Sequence, residues 1–169
     1  MKLNLREIID MPGSGMHFEC RLGTDRLDFP SIDRFVSPPA AAGEIKNKAG
    51  MLTLKAWLSA RMICVCDRCG RKFDNAAEID IDAAVSAERR ENDDPDIYSL
   101  DGDFLDIDSV LETAFILNYD AKCLCREDCA GLCGGCGVDL NTGSCECKVI
   151  PDPRFAVLAR LSETGEIPE

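Results

Sequence analysis

The chain has 169 residues, enough for one domain with an appendage and a real core but too few for two large domains. Its apolar fraction is 46%, or about 40% once the 11 cysteines are set aside, which excludes general disorder. The net charge of −12, from 19 Lys and Arg against 31 Asp and Glu, repels phosphate backbones and argues against generic nucleic-acid coating.

The charge is uneven along the chain. Residues 1–73 carry +4, residues 74–120 carry −13 and residues 121–169 carry −3. The acidic middle block reads either as a solvated face around a loop or as a docking surface for a basic partner.

The opening residues 1–10 place charges at Lys2, Arg6, Glu7 and Asp10, so they lack the unbroken apolar core of a signal peptide. No later run is long and apolar enough to cross a bilayer. The expected compartment is therefore the cytosol, where thiols stay reduced and clustered cysteines read as metal ligands or redox groups before disulfides.

Alternation predicts strands at Leu3, Leu5 and Glu7, over residues 16–22, and over residues 51–58 with Leu52, Leu54, Ala56 and Leu58 on one face. These suggest antiparallel pairs, separated by turn signals at residues 12–15, at residues 37–39, at Gly43 and at Gly50. Cys20 reads as a small buried hydrophobe and Trp57 as a core residue. Residues 77–83 alternate again with acids on the outer face. Residues 89–104, acidic and broken by Pro95 and Gly102, predict a loop. A calcium loop fails there, because Gly102 at the turn position puts Ile97, which has no side-chain oxygen, at the first ligand position.

From Asp106 the period changes, and Ile107, Val110, Leu111, Ala114 and Leu117 predict a helix, with Ser109 and Glu112 placed for a capping box. A second, shorter helix is expected from Asp152-Pro153, presenting Phe155, Leu158 and Leu161 to the core. The fold class expected is α+β: a mainly antiparallel sheet or partly open barrel with one packed helix and a zinc-stapled C-terminal segment. The boundaries are a β-rich core over 1–120, its helix near 106–118, and a cysteine-rich segment with the short helix over 121–169.

Cys64, Cys66 and Cys69 form one cysteine group, while seven more, from Cys123 to Cys147, crowd into 25 residues. Zinc takes four thiolates in a tetrahedron, and a Cys-x-x-Cys turn lets two of them bite one ion. Two such turns occur, Cys66-Asp67-Arg68-Cys69 and Cys133-Gly134-Gly135-Cys136, each followed by a glycine suited to a tight knuckle. Cys133, Cys136, Cys145 and Cys147 make one four-thiolate site, and Cys125 and Cys129 could complete a second with Cys66 and Cys69. One zinc or two remain open, with Cys20, Cys64 and Cys123 left over. Closed four-cysteine sites are structural, since catalytic zinc keeps a position for water. Eight thiolates and two zinc ions would take the net charge from −12 to −16.

Catalytic groups are scarce. His17 is the only histidine, it lies in a strand pattern, and no glycine loop ends in the Gly-Lys-Ser/Thr of a phosphate cradle. The chain does not read as an enzyme, and nothing in it asks for a small-molecule substrate or a membrane.

Four stretches together resemble the YceD family of large ribosomal RNA subunit accumulation proteins. They are Cys66-Asp67-Arg68-Cys69 after a hydrophobic strand, the helix from Asp106 to Glu112, residues 125–141, and Cys145-Glu146-Cys147 followed by residues 152–158. The resemblance implies a non-enzymatic factor that supports accumulation of large-subunit ribosomal RNA during subunit assembly, with a ribosomal protein, ribosomal RNA or a pre-ribosomal particle as partner. Cys64 and Cys123 are additions to the family pattern, either able to replace a neighbouring ligand, and Gly134 stands where proline is common. For the partner, acidic residues such as Asp93, Asp94, Asp96, Asp101 and Asp103 suit a basic ribosomal protein, whereas Arg61, Arg68, Arg71 and Lys72 would serve RNA. The alternative reading is a redox-regulated zinc-thiol switch chaperone, in which oxidation ejects the metal and frees a client-binding segment.

Overall fold

The computed structural model describes residues 1–86, 97–120 and 122–147. They divide into two compact units, one formed by Met1–Asp67 and Arg71–Cys125, the other by Arg68–Gly70 and the chain from Arg126 onward. The helix expected from Asp152, like the acids Asp93, Asp94 and Asp96, lies outside the described residues.

The first unit is built on β2 (Gly15–Arg21), β3 (Ile32–Phe35), β4 (Ala40–Lys48), β5 (Met51–Val65), β6 (Lys72–Ser86) and β7 (Ile97–Ser99), in the order β2-β4-β5-β6-β7 with β3 beside β5. All pairs are antiparallel except β6 with β7, and the sheet is open, so the α+β reading holds in its sheet rather than its closed form. A separate two-stranded sheet pairs β1 (Lys2–Asn4) with β8 (Phe104–Asp106). Among the described residues of this unit two helices occur, α1 (Arg6–Ile9) and α2 (Ile107–Asn118).

The centre of the sheet follows from the period-2 pattern of β5. Leu52, Leu54, Ala56, Leu58, Ala60, Met62 and Cys64 all point inward and are buried. Ile79, Ile81 and Val85 of β6 extend the same face, and α2 packs Ile107, Val110, Leu111, Ala114 and Phe115 into this core. Phe115 meets Phe29 edge-on at 5.6 Å between ring centroids and stacks with Tyr119 at 5.5 Å. The β4–β5 hairpin turns through Ala49 and Gly50, both with positive φ (53° and 92°), as a two-residue loop requires. Asn47, buried beside that turn, accepts from the Gly50 amide and donates to the Ile8 and Ile9 carbonyls, all at 2.8 Å, so no polar atom of it is stranded.

Several expectations are corrected. The alternation through Leu3, Leu5 and Glu7 stops at Asn4, whose Oδ1 accepts from the Arg6 amide at 3.0 Å and turns the chain into α1. Gly43 is inside β4 and not a turn: a Cβ there would lie 2.5 Å from Ala56 Cβ and from the Lys55 carbonyl oxygen, so the glycine permits close approach of two strands. Within the expected loop 89–104, Ile97–Ser99 instead forms β7, because half-buried Ile97 and Tyr98 gain contact with the sheet, and β8 begins at Phe104. The capping box does not form. The N-cap of α2 is Asp106, and the carbonyl of Ser109, inside the helix, accepts from Thr113 Oγ1 at 2.8 Å. Trp57 is half exposed, because odd-numbered residues of β5 occupy the face opposite the core. Cys20 is half-buried, facing Ala41 across the β2–β4 pair.

The described residues of the second unit have little apolar substance. Its only regular pairing among the described residues is the bridge between Leu132 and Asp139. Leu132 and Leu140 are exposed, and among its described residues only Cys69 and Cys129 are buried apolar ones.

Candidate metal centres

The segment from Gly131 to Cys147 folds around its own turns. Gly137, with φ +74°, lets its amide donate to the Cys133 carbonyl at 2.8 Å, while the Gly135 amide donates to Cys133 Sγ at 3.4 Å. This is the knuckle that a Cys-x-x-Cys-Gly sequence favours, with amide hydrogens turned toward sulfur. The Cys133 amide donates to the Val138 carbonyl at 2.8 Å, and the Asp139 carbonyl accepts from the Gly143 amide at 2.9 Å, which turns the chain back. Cys145 and Cys147 thereby reach the knuckle. A Cβ on Gly135 would lie 3.3 Å from Cys147 Cβ, a tight contact to which the neighbouring chain would have to yield.

The Sγ atoms of Cys133, Cys136, Cys145 and Cys147 all lie within 4.8 Å of one another. With Zn–S bonds near 2.3 Å, the edge of a tetrahedral four-thiolate site is about 3.8 Å, so separations within 4.8 Å are compatible with such an ion. The thiols already differ in acidity. The backbone amides of Cys136 and Gly135, helped by the Cys145 and Cys136 thiols, pull Cys133 down to about 6. Cys147 is pushed up to about 11 by its neighbours Cys136 and Cys133, and Cys145 is raised by Cys133. Protein groups alone thus favour the Cys133 thiolate and resist those of Cys145 and Cys147, and a divalent cation reverses that resistance.

The other knuckle, Cys66 to Cys69, ends at Gly70 with φ +68°. The Cys66 amide donates to the Arg71 carbonyl at 2.9 Å. Asp67 pins the chain that carries Cys125: its amide donates to the Cys123 carbonyl at 2.9 Å, and its Oδ2 accepts from the Cys123 amide at 2.5 Å. Arg68 holds the chain that carries Cys129, donating to the Cys129 carbonyl at 2.7 Å and the Glu127 carbonyl at 3.4 Å. The Arg68 carbonyl accepts from the Leu132 amide at 3.0 Å and would lie 3.0 Å from a Cβ on Gly131, whose φ is +77°. The Sγ atoms of Cys66, Cys69, Cys125 and Cys129 also lie within 4.8 Å of one another. Cys66, Cys69 and Cys129 are buried, in contrast to the exposed Cys136 and Cys147.

The two sets of four thiols grouped by spacing are thus close in space, and each offers a soft, all-sulfur donor set suited to zinc. The extra thiols stand apart from both sets. Cys64 Sγ is 3.6 Å from the Tyr119 hydroxyl, and Cys123 Sγ accepts from Asn75 Nδ2 at 4.0 Å. Burial pushes the Cys123 thiol up to about 11. His17, exposed on β2, stands 3.9 Å from Glu44.

Sequence reasoning missed the groups that support the sulfurs. Asn141 Nδ2 donates to Cys129 Sγ at 3.5 Å, while Asn141 Oδ1 accepts from the Ala130 amide at 2.9 Å and from Arg126 at 2.7 Å. Asp139 Oδ1 in turn accepts from Asn141 Nδ2 at 2.6 Å. Partners of this kind orient ligands and tune their affinity. The turn-forming run Asp139-Leu140-Asn141 was the one available signal, but no spacing rule marks an amide as the partner of a thiolate.

A family model described as "Large ribosomal RNA subunit accumulation protein YceD" matches residues 54–162, more than half of the chain. No curated protein and no solved structure matches.

Proposed function

The chain belongs to the YceD family of large ribosomal RNA subunit accumulation proteins, and from that premise we propose that it is a non-enzymatic assembly factor whose cysteine unit is held by structural zinc. The observation that carries this reading is that the family match, residues 54–162, spans all eight thiols of the two sets. Cys66, Cys69, Cys125 and Cys129 would hold one ion, and Cys133, Cys136, Cys145 and Cys147 the other. Bound zinc supplies no reaction here; it neutralises thiolates and cross-links chain that cannot make a core. Eleven thiols kept for metal and packing suit a reducing compartment, so the factor acts in the cytosol.

The partner is a basic ribosomal protein. A chain of −12 is a poor ligand for bare RNA, and among the basic groups suited to RNA Arg68 is engaged on two backbone carbonyls and Lys72 on Asp33 Oδ1 at 2.5 Å. Depleting the protein should lower large-subunit ribosomal RNA relative to small-subunit RNA, with a matching loss of large subunits in gradient profiles. An unchanged ratio would remove the assembly role and direct attention to the redox switch, which predicts peroxide-dependent zinc release and client binding.

A further inference from the structure

We propose that the solvent face of the six-stranded sheet carries a docking channel for a Lys/Arg-rich protein segment, centred on exposed Trp57 between the carboxylates of Glu19 and Asp80. This deepens, and rests on, the reading that the partner is a basic protein.

The channel follows from strand register. Phe18, Gly43, Ala56 and Ile81 lie side by side across β2, β4, β5 and β6. Phe18, Ala56 and Ile81 turn their side chains into the core and Gly43 has none, so the outer surface of this row is backbone only. The next row on one side is His17, Glu44, Lys55 and Asp82, and on the other Glu19, Ala42, Trp57 and Asp80. The two rows wall a cavity of about 570 Å³. Three strand spacings make it about 14 Å long, room for about four extended residues.

The walls specify the occupant. The channel has four carboxylates against one lysine. Glu44 is held by Lys46 at 2.5 Å, and Asp82 by Lys55 at 2.8 Å. Glu19 and Asp80 make no ion pair or side-chain hydrogen bond among the described residues, and both stand in the row of Trp57. Ala42, a small residue, stands between Glu19 and half-exposed Trp57 in this row. A large aromatic surface, half exposed and flanked by unpaired carboxylates, attracts a guanidinium or ammonium group through the ring face and the charges together. The same arrangement repels phosphate and another copy of this acidic chain. It also explains why Trp57 and the acids of β6 face water while the alternating partners in their strands build the core.

Trp57 is the only tryptophan, so its emission reports this channel alone. The full-length protein, purified from zinc-supplemented cells, is titrated with a labelled dodecapeptide of alternating Arg and Val, and with a single-stranded RNA of twelve nucleotides. Anisotropy and tryptophan emission are followed at two salt concentrations. The expected result is salt-sensitive peptide binding that changes Trp57 emission. It weakens about tenfold in Trp57→Ala and in Glu19→Gln/Asp80→Asn, but not in Asp101→Asn/Asp103→Asn. The carboxylate pair guards against a folding defect in the tryptophan variant. Peptide binding that leaves emission and both channel variants unaffected overturns the channel while leaving a basic partner intact. RNA binding in preference to peptide overturns both, and the ribosomal RNA ratio in depleted cells still reports the assembly role separately.

Discussion

The two units solve the problem of stability by different means. The sheet unit buries a continuous set of apolar side chains, from Leu5 and Phe18 through Leu58 and Met62 to Phe115. The cysteine unit buries only Cys69 and Cys129 among its described apolar residues, leaves Leu132 and Leu140 in water, and relies on glycine turns, backbone hydrogen bonds and converging thiols. The described part of this unit shows no core of its own, and small segments of that kind are commonly closed by a metal or by disulfides.

Metal removal separates the two units most sharply. A structural zinc contributes on the order of 10 kcal/mol of apparent binding free energy at neutral pH. Stripping metal with a strong chelator should collapse the amide resonances of residues 126–147 toward random-coil positions while the resonances of β4, β5 and β6 persist. Unchanged spectra after verified metal loss would show that the cysteine unit stands without metal. The converse test is Leu58→Ala, at a position only 1% exposed, which should cost the sheet about 3 kcal/mol in urea denaturation followed by Trp57 emission. Metal content of the folded variant should be unaltered.

A finer contrast concerns support of the sulfurs. Asn141→Ala removes the donor to Cys129 Sγ and the acceptor for the Ala130 amide, and should weaken metal retention about tenfold in a competition with a chromogenic chelator. Sheet stability should not follow. A further effect is alkaline. Cys123 titrates at about 11 in the folded protein against an ordinary 9.0, so between these values the folded state holds the proton that the unfolded state releases. Stability of the sheet unit should therefore fall as pH rises from about 9 to about 11. Cys123→Ala should flatten that slope in urea titrations at a series of pH values.

The sheet centre and α2 were legible because their periods are strong: seven consecutive inward positions in β5, then Ile107, Val110, Leu111 and Ala114 on one stripe of a helix. The two thiol sets were legible because a Cys-x-x-Cys-Gly turn encodes its own geometry. β4 was hidden because Ala40–Lys48 contains a single β-branched residue, Ile45, and its glycine looks like a turn until Ala56 is seen against it. β7 gains its order from a parallel partner far back in the chain, which no local pattern shows. Trp57 was misplaced by chemistry overriding register. Its size suggested the core, while the strict alternation of Leu54, Ala56 and Leu58 had already assigned position 57 to the other face.

The central claim is that assembly of the large subunit depends on the metal-held cysteine unit. It is tested most directly by the ratio of large- to small-subunit ribosomal RNA in depleted cells that carry either the wild-type chain or a Cys133→Ala, Cys136→Ala copy at equal abundance. The account predicts that the wild-type chain restores the ratio and the double variant does not. Full restoration by the double variant would contradict it.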